Sequence, residues 1–227
     1  MKRRKLFLQL VALTVFFAFT SCGGSNQKKE AKHSKMPAGQ EATPNVLTQN
    51  DTTGMHKQHN SLADNFAHKD IVILDNPYQL GEAAKAELEQ VIDAYLLLKD
   101  ALVKEDVQAT DKAVGLMAEK VAAVVPTRLE GKGLEAWQNH QALYEGKLKE
   151  MLHVKGLENK RSYFSHISEI MYCTIKSFGL KQGKLFAIFC PMAFNGEGSY
   201  WISDSKVIQN PYLGTKMPKC GEVRENL

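Results

Sequence analysis

The chain has 227 residues, 44% of them apolar and 24% charged, which fits one globular domain with extensions and excludes wholesale disorder or a polytopic membrane protein. The formal charge is +4, but Lys2, Arg3, Arg4 and Lys5 supply all of that excess before any acid occurs. The remainder is balanced, so it carries no general basic footprint and nucleic acid is not an expected partner.

Residues 1–21 read as a signal peptide: a basic start, then an apolar run from Leu6 to Thr20 that is short for a bilayer-spanning helix. The run ends in Phe19-Thr20-Ser21-Cys22, followed by Gly23-Gly24. Small residues before a Cys resemble a bacterial lipobox, although Phe19 stands where Leu is usual. The resemblance implies cleavage before Cys22 and lipidation of its sulfur, which would tether a soluble domain to a membrane of the cell envelope. The acid-free stretch Gly23–Lys29 favours a periplasm-facing position over surface export.

Residues 22–70 read as a flexible tether, polar and without an apolar period. Four of the seven histidines fall here, and Met36 and Met55 lie among them. Imidazole and thioether both suit copper, so His33, Met36, Met55, His56 and His59 are tether metal candidates; a solvated linker with chance histidines is the alternative.

The folded domain is expected over 71–227. Ile71-Val72-Ile73-Leu74 is a short apolar run, a strand or a docked extended segment, broken by Asn76-Pro77. Helical periodicity then marks about 80–104, with Leu88, Val91, Ile92, Tyr95, Leu98 and Leu102 on one face. A second helix spans about 106–125, with Asp106 as N-cap, a stripe of Ala109, Ala113, Leu116, Met117, Val121 and Val124, and Pro126 as its stop. The third covers about 133–154 with a seam of Leu134, Trp137, Gln141, Tyr144, Leu148 and Met151. The fourth covers about 158–178 with Phe164, Ile167, Met171, Thr174 and Phe178, closed by Gly179. Short connections make the neighbours antiparallel. From about 184 the pattern changes. Leu185–Phe189 and Tyr200–Ser203 read as a hairpin, and the rest as a turn-rich tail. The expected fold class is mainly α: a four-helix up-and-down bundle with a small C-terminal β-hairpin and turn-rich tail.

The tail concentrates sulfur: Cys190-Pro191-Met192 follows one strand, and Met217 and Cys220-Gly221 lie near the chain's end. Thiol and thioether ligands select monovalent copper or silver, with zinc second, so Cys190, Met192, Met217 and Cys220 form a candidate metal set. Residues from about 86 to 224 resemble a bacterial domain family of uncharacterised function. That domain is common in Bacteroidetes lipoproteins and is also found fused to the periplasmic adaptor subunits of copper and silver efflux pumps. The matching pieces are Tyr95–Val103, Arg161 with Phe164 and Ser168, Cys190-Pro191-Met192-Ala193, Tyr200-Trp201-Ile202-Ser203, Ile208–Tyr212, Gly214–Met217 and Cys220-Gly221. The resemblance implies an accessory role beside an efflux adaptor or another envelope protein. The Cys-Pro-Met and Cys-Gly pieces also resemble the small heavy-metal-binding module of metal pumps. Ala193 stands where that module has His, and Pro218-Lys219-Cys220 keeps one Cys of its second cluster.

The alternative for the same residues is a disulfide between Cys190 and Cys220. It would close a loop of about 31 residues, worth roughly 3–4 kcal/mol by chain entropy, and make the domain a non-metal interaction module. Cys173 would then be a buried small hydrophobe. His140, His153 and His166 flank the helical stripes and read as surface residues, though a pair on adjacent helices could share a metal. Arg161 reads as a structural partner for an acid such as Asp93 or Asp100. No Gly-rich phosphate loop, Gly-x-Ser-x-Gly, His-Glu-x-x-His or Cys-x-x-Cys occurs, so no enzymatic activity is expected.

Overall fold

The computed structural model describes residues 70–227. The leader, Cys22 and the tether candidates His33, Met36, Met55, His56 and His59 lie outside the described residues. Four helices come first: α1 (Glu82–Val103), α2 (Val107–Ala123), α3 (Gly131–His153) and α4 (Leu157–Phe178). Their boundaries follow local chemistry. The Asp106 carboxylate accepts the Ala109 N–H at 2.9 Å and caps α2. Gly179 ends α4 in the left-handed region (φ 59°, ψ 39°) with its N–H donated to the Ile175 carbonyl. Pro126 does more than stop α2, because it opens a 3-10 turn, Pro126–Arg128, where its missing N–H costs nothing.

Each helix packs against the one before it, and α4 also packs beneath the sheet. The core joins both parts: Leu88, Tyr95, Trp137, Tyr144, Phe164 and Met171 from the helices meet Ile188 and Trp201 from the strands, all fully buried. Tyr95 stacks on Phe164 (centroids 5.2 Å apart, 16° between planes), a pairing worth about 0.5–1.5 kcal/mol beyond the area it buries. No helix among the described residues is long and apolar enough to cross a membrane.

The sheet has three antiparallel strands in the order β2-β1-β3: β1 (Phe186–Cys190), β2 (Ser199–Ser203) and β3 (Glu222–Asn226). The expected hairpin is β1–β2. The tail expected to be irregular supplies β3, which pairs on the other side of β1 with a bulge between Ala187 and Ile188. Glu-Val-Arg-Glu-Asn has no apolar alternation because β3 is an edge strand whose side chains are mostly exposed. It is fixed instead by Glu225, which accepts from the Tyr172 hydroxyl at 2.8 Å and the Lys176 ammonium at 2.9 Å, both on α4.

Residues 71–78 are a docked extended segment. The Val72 N–H reaches Asn139 Oδ1 (3.0 Å), the Leu74 N–H reaches Ser177 Oγ (3.1 Å), and the Tyr78 N–H reaches the Ser177 carbonyl (2.8 Å). This segment overturns one expectation about α3. His140, expected at the surface, is buried beneath it, while Gln141, placed in the seam, is half-buried. The His140 Nε2 lies 2.6 Å from the Val72 carbonyl and its Nδ1 lies 3.1 Å from Thr174 Oγ1. Burial lowers its pKa to about 4, so at neutral pH it is an uncharged tie between α3, α4 and the segment. His153 and His166 are exposed as expected. Arg161 takes Glu105 as its partner; Asp93 pairs with Lys181, and Asp100 with Lys99.

Candidate functional site

The sulfur-bearing residues are placed by the pairing of β3 with β1. Cys190 ends β1, opposite Ser199 of β2. On the other side Phe189 pairs with Glu222, so Cys220-Gly221 runs alongside the end of β1. The thiols of Cys190 and Cys220 come into hydrogen-bonding contact, and the Met192 N–H is directed at the Cys220 sulfur. Burial, then the neighbouring Cys190, raises the Cys220 pKa above its ordinary value. Cys190 is fully buried, Cys220 half-buried, and the described cysteines are free thiols. Cys173 stands apart on α4, where burial pushes its thiol up to about 12, the inert small hydrophobe that its helical position suggests.

Two residues force the tail into this position. At Gly221 (φ 153°) an added Cβ would lie 2.7 Å from the Trp201 ring, so only glycine lets the backbone cross that indole. Asn210 is fully buried and uses both ends of its amide. Its Oδ1 accepts the N–H groups of Tyr212 and Leu213, each at 2.8 Å, while its Nδ2 donates to the Cys220 carbonyl at 2.6 Å. The Asn210 N–H also bonds the Pro218 carbonyl at 3.0 Å. Asn210 therefore clamps the segment that carries Cys220 and leads into β3. Its role was legible only as an Asn-Pro turn signal, because the amide's partner lies ten residues away.

Met192 and Met217 both touch Cys220 through the backbone: the Met192 N–H meets its sulfur, and the Cys220 N–H donates to the Met217 carbonyl at 3.1 Å. Their side chains are 53% and 42% exposed. The fold thus brings the two thiols together and leaves the two thioethers at the solvent face of the same turns. Among the described residues no group of three or more His, Cys, Asp or Glu could hold a metal ion. A tetrahedral zinc site built from such ligands therefore has no counterpart there, and a two-thiol, thioether set is suited to a soft monovalent ion.

A second junction holds the tail to the bundle. Glu105 follows α1, accepts from Arg161 at 2.9 Å, and accepts the Thr215 hydroxyl at 2.6 Å. These contacts, Thr215 first and Arg161 next, hold the Glu105 carboxyl down at about 2. Arg161 Nε also donates to the Pro211 carbonyl at 2.8 Å. Gly214 (φ 52°) completes the fit, since a Cβ there would fall 2.4 Å from Glu105 Oε1. Tyr95 ties α1 to β2: its hydroxyl receives the Ile202 N–H at 3.0 Å and lies 2.7 Å from Ser168 Oγ.

Residues 91–183 match a family described as "Protein of unknown function (DUF3347)". The match runs from within α1 through α4 and stops before β1, so the helices carry it and the sulfur-bearing tail lies beyond it. That stretch is similar to an uncharacterised domain of that description. No curated protein and no solved structure matches the chain.

Proposed function

We propose that this protein is a cell-envelope lipoprotein that binds a soft monovalent metal ion, copper(I) or silver(I), as an accessory to metal efflux or homeostasis. The observation that carries the reading is the contact of the Cys190 and Cys220 thiols within turns that also present Met192 and Met217 to solvent. Cys190 and Cys220 supply thiolates, and the thioethers complete a soft ligand set. Thiol ligands release protons on metal binding, and burial opposes ionisation of Cys220, so uptake strengthens as pH rises. The protein performs no redox or hydrolytic step. The lipid on Cys22 holds it at the membrane facing the periplasm. His33, Met36, Met55, His56 and His59 collect ions along the tether, and an efflux adaptor or another envelope protein receives them.

Anaerobic titration of the reduced full-length protein with copper(I) against a competing chelator tests this. One tightly held equivalent is expected, lost in the Cys190→Ser, Cys220→Ser double variant. Affinity that survives those changes but disappears on deleting residues 23–69 transfers the binding to the tether and refutes the tail site.

The same thiol contact supports a second reading, in which Cys190 and Cys220 are oxidised to a staple and the domain docks on an envelope protein without metal. Alkylation and mass spectrometry of protein isolated from the envelope, with and without reductant, separates the two. A linked pair with no co-purifying metal assigns the residues to the staple.

A further inference from the structure

Met192 also borders a cavity of about 710 Å³ that takes no part in the thiol contact. Its volume falls within the roughly 300–1,000 Å³ usual for small-molecule sites. The first turns of α4 supply Glu158 and Arg161, the loop after β1 supplies Phe194 and Glu197, and the tail supplies Tyr212 and Lys216.

Both signs of charge line this one cavity. Arg161 is oriented by Glu105 and the Pro211 carbonyl. None of the ion pairs among the described residues uses Glu158, Glu197 or Lys216. A purely anionic ligand would gain Lys216 and Arg161 but sit against two carboxylates, and a purely cationic ligand would meet the reverse. A molecule with an ammonium and a carboxylate answers both. Phe194 and Tyr212, with ring centroids 5.4 Å apart, add an aromatic wall for an apolar group.

The wall is also strained. Phe194 (φ 52°, ψ 53°) and Asn195 (φ 60°, ψ 28°) are consecutive left-handed residues that both carry a Cβ. The turn is closed by the Gly198 N–H on the Ala193 carbonyl at 3.0 Å. Such conformations are unfavourable and gather at ligand clamps, where the surrounding structure holds them in place.

We infer that this cavity binds a small dipolar molecule, a short peptide with an apolar side chain. Its carboxylate is met by Lys216 and Arg161, and its ammonium by Glu158 and Glu197. The inference is independent of metal at the thiol pair. The probe is the dipeptide leucyl-alanine, which has no soft-metal ligand, titrated calorimetrically into the metal-free, reduced full-length protein. Saturable binding is expected, at least tenfold weaker for the same dipeptide with an acetylated amine and an amidated carboxyl. It should also be at least tenfold weaker in Glu197→Gln and in Lys216→Gln, both at exposed positions, with the ligand-free unfolding midpoint unchanged. If a variant lowers that midpoint, the comparison of free with capped dipeptide decides. Absence of saturable binding at millimolar dipeptide, equal affinity for the capped form, or full affinity in both variants overturns the inference.

Discussion

Replacing Asn210 with alanine should release the tail while leaving the helices intact. The substitution removes three hydrogen bonds at once: 2.8 Å from Tyr212, 2.8 Å from Leu213 and 2.6 Å to the Cys220 carbonyl. Tyr212 is buried, so its N–H would be left without a partner, whereas Leu213 and Cys220 are half-buried and water can reach them. Each buried polar group left unsatisfied costs about 1–3 kcal/mol, and water relieves part of the cost at the two more open sites, so the total is about 3 kcal/mol. That is a large share of the roughly 5–15 kcal/mol that holds a typical domain together. In urea unfolding the midpoint should fall by about 1 M if the slope is near 2–3 kcal/mol/M. Under native conditions Cys190, fully buried in the parent, should become reactive toward an aromatic disulfide reagent, because the neighbouring Cys220 segment is no longer clamped. Asn210→Asp keeps the acceptor oxygen but sets a carboxylate against the Cys220 carbonyl. It should loosen the Cys220 end while sparing the turn at 210–213. An unchanged urea midpoint together with unchanged thiol reactivity in Asn210→Ala would refute the clamp.

Stability should depend on pH through His140. Its folded pKa is lowered to about 4, so the unfolded chain takes up a proton first and stability is lost as pH falls from about 6.5 to 4. The lost amount is about 3 kcal/mol at one pKa unit per 1.36 kcal/mol, and His140→Gln should flatten that part of the profile. Glu105 acts lower on the scale: its carboxyl is held at about 2, so its contribution is present above about 4.5 and is lost toward pH 2, which Glu105→Gln removes. Gly214→Ala should cost about 2–3 kcal/mol in denaturant unfolding, because it adds a left-handed Cβ and displaces the Glu105–Arg161 pair. Combined with Glu105→Gln the losses should not add, since both act on one junction.

Much of the bundle is legible in the sequence because helical packing repeats. The stripes through Leu88, Met117, Trp137 and Phe164 face the core, with Ala109, Leu116, Leu134 and Gln141 at their half-buried margins, and Asp106 and Gly179 mark real helix ends. What escapes is set by contacts with distant chain. The ring of His140 is dry because residues 71–78 lie over it, and nothing in the pattern of α3 encodes that cover. Arg161 pairs directly with Glu105, and the tail packs against both of them at Gly214, a contact that no helix-to-helix charge pattern encodes. β3 has the composition of a solvated loop and becomes a strand only by pairing with β1. The proximity of Cys190 to Cys220 is legible as one of two alternatives, a shared metal or a disulfide, and either needs the pairing that brings β3 home.

The sulfur pair is completed at the far end of the chain. Pro218, whose carbonyl the Asn210 N–H holds, and Cys220 precede the final strand, and the Leu227 N–H closes onto the Leu185 carbonyl at 2.9 Å. A chain delivered across a membrane N-terminus first can assemble its helices long before that strand arrives. On the proposed envelope location, Cys190 would wait without its partner until Cys220 is out, open in that interval to another thiol, Cys173 included.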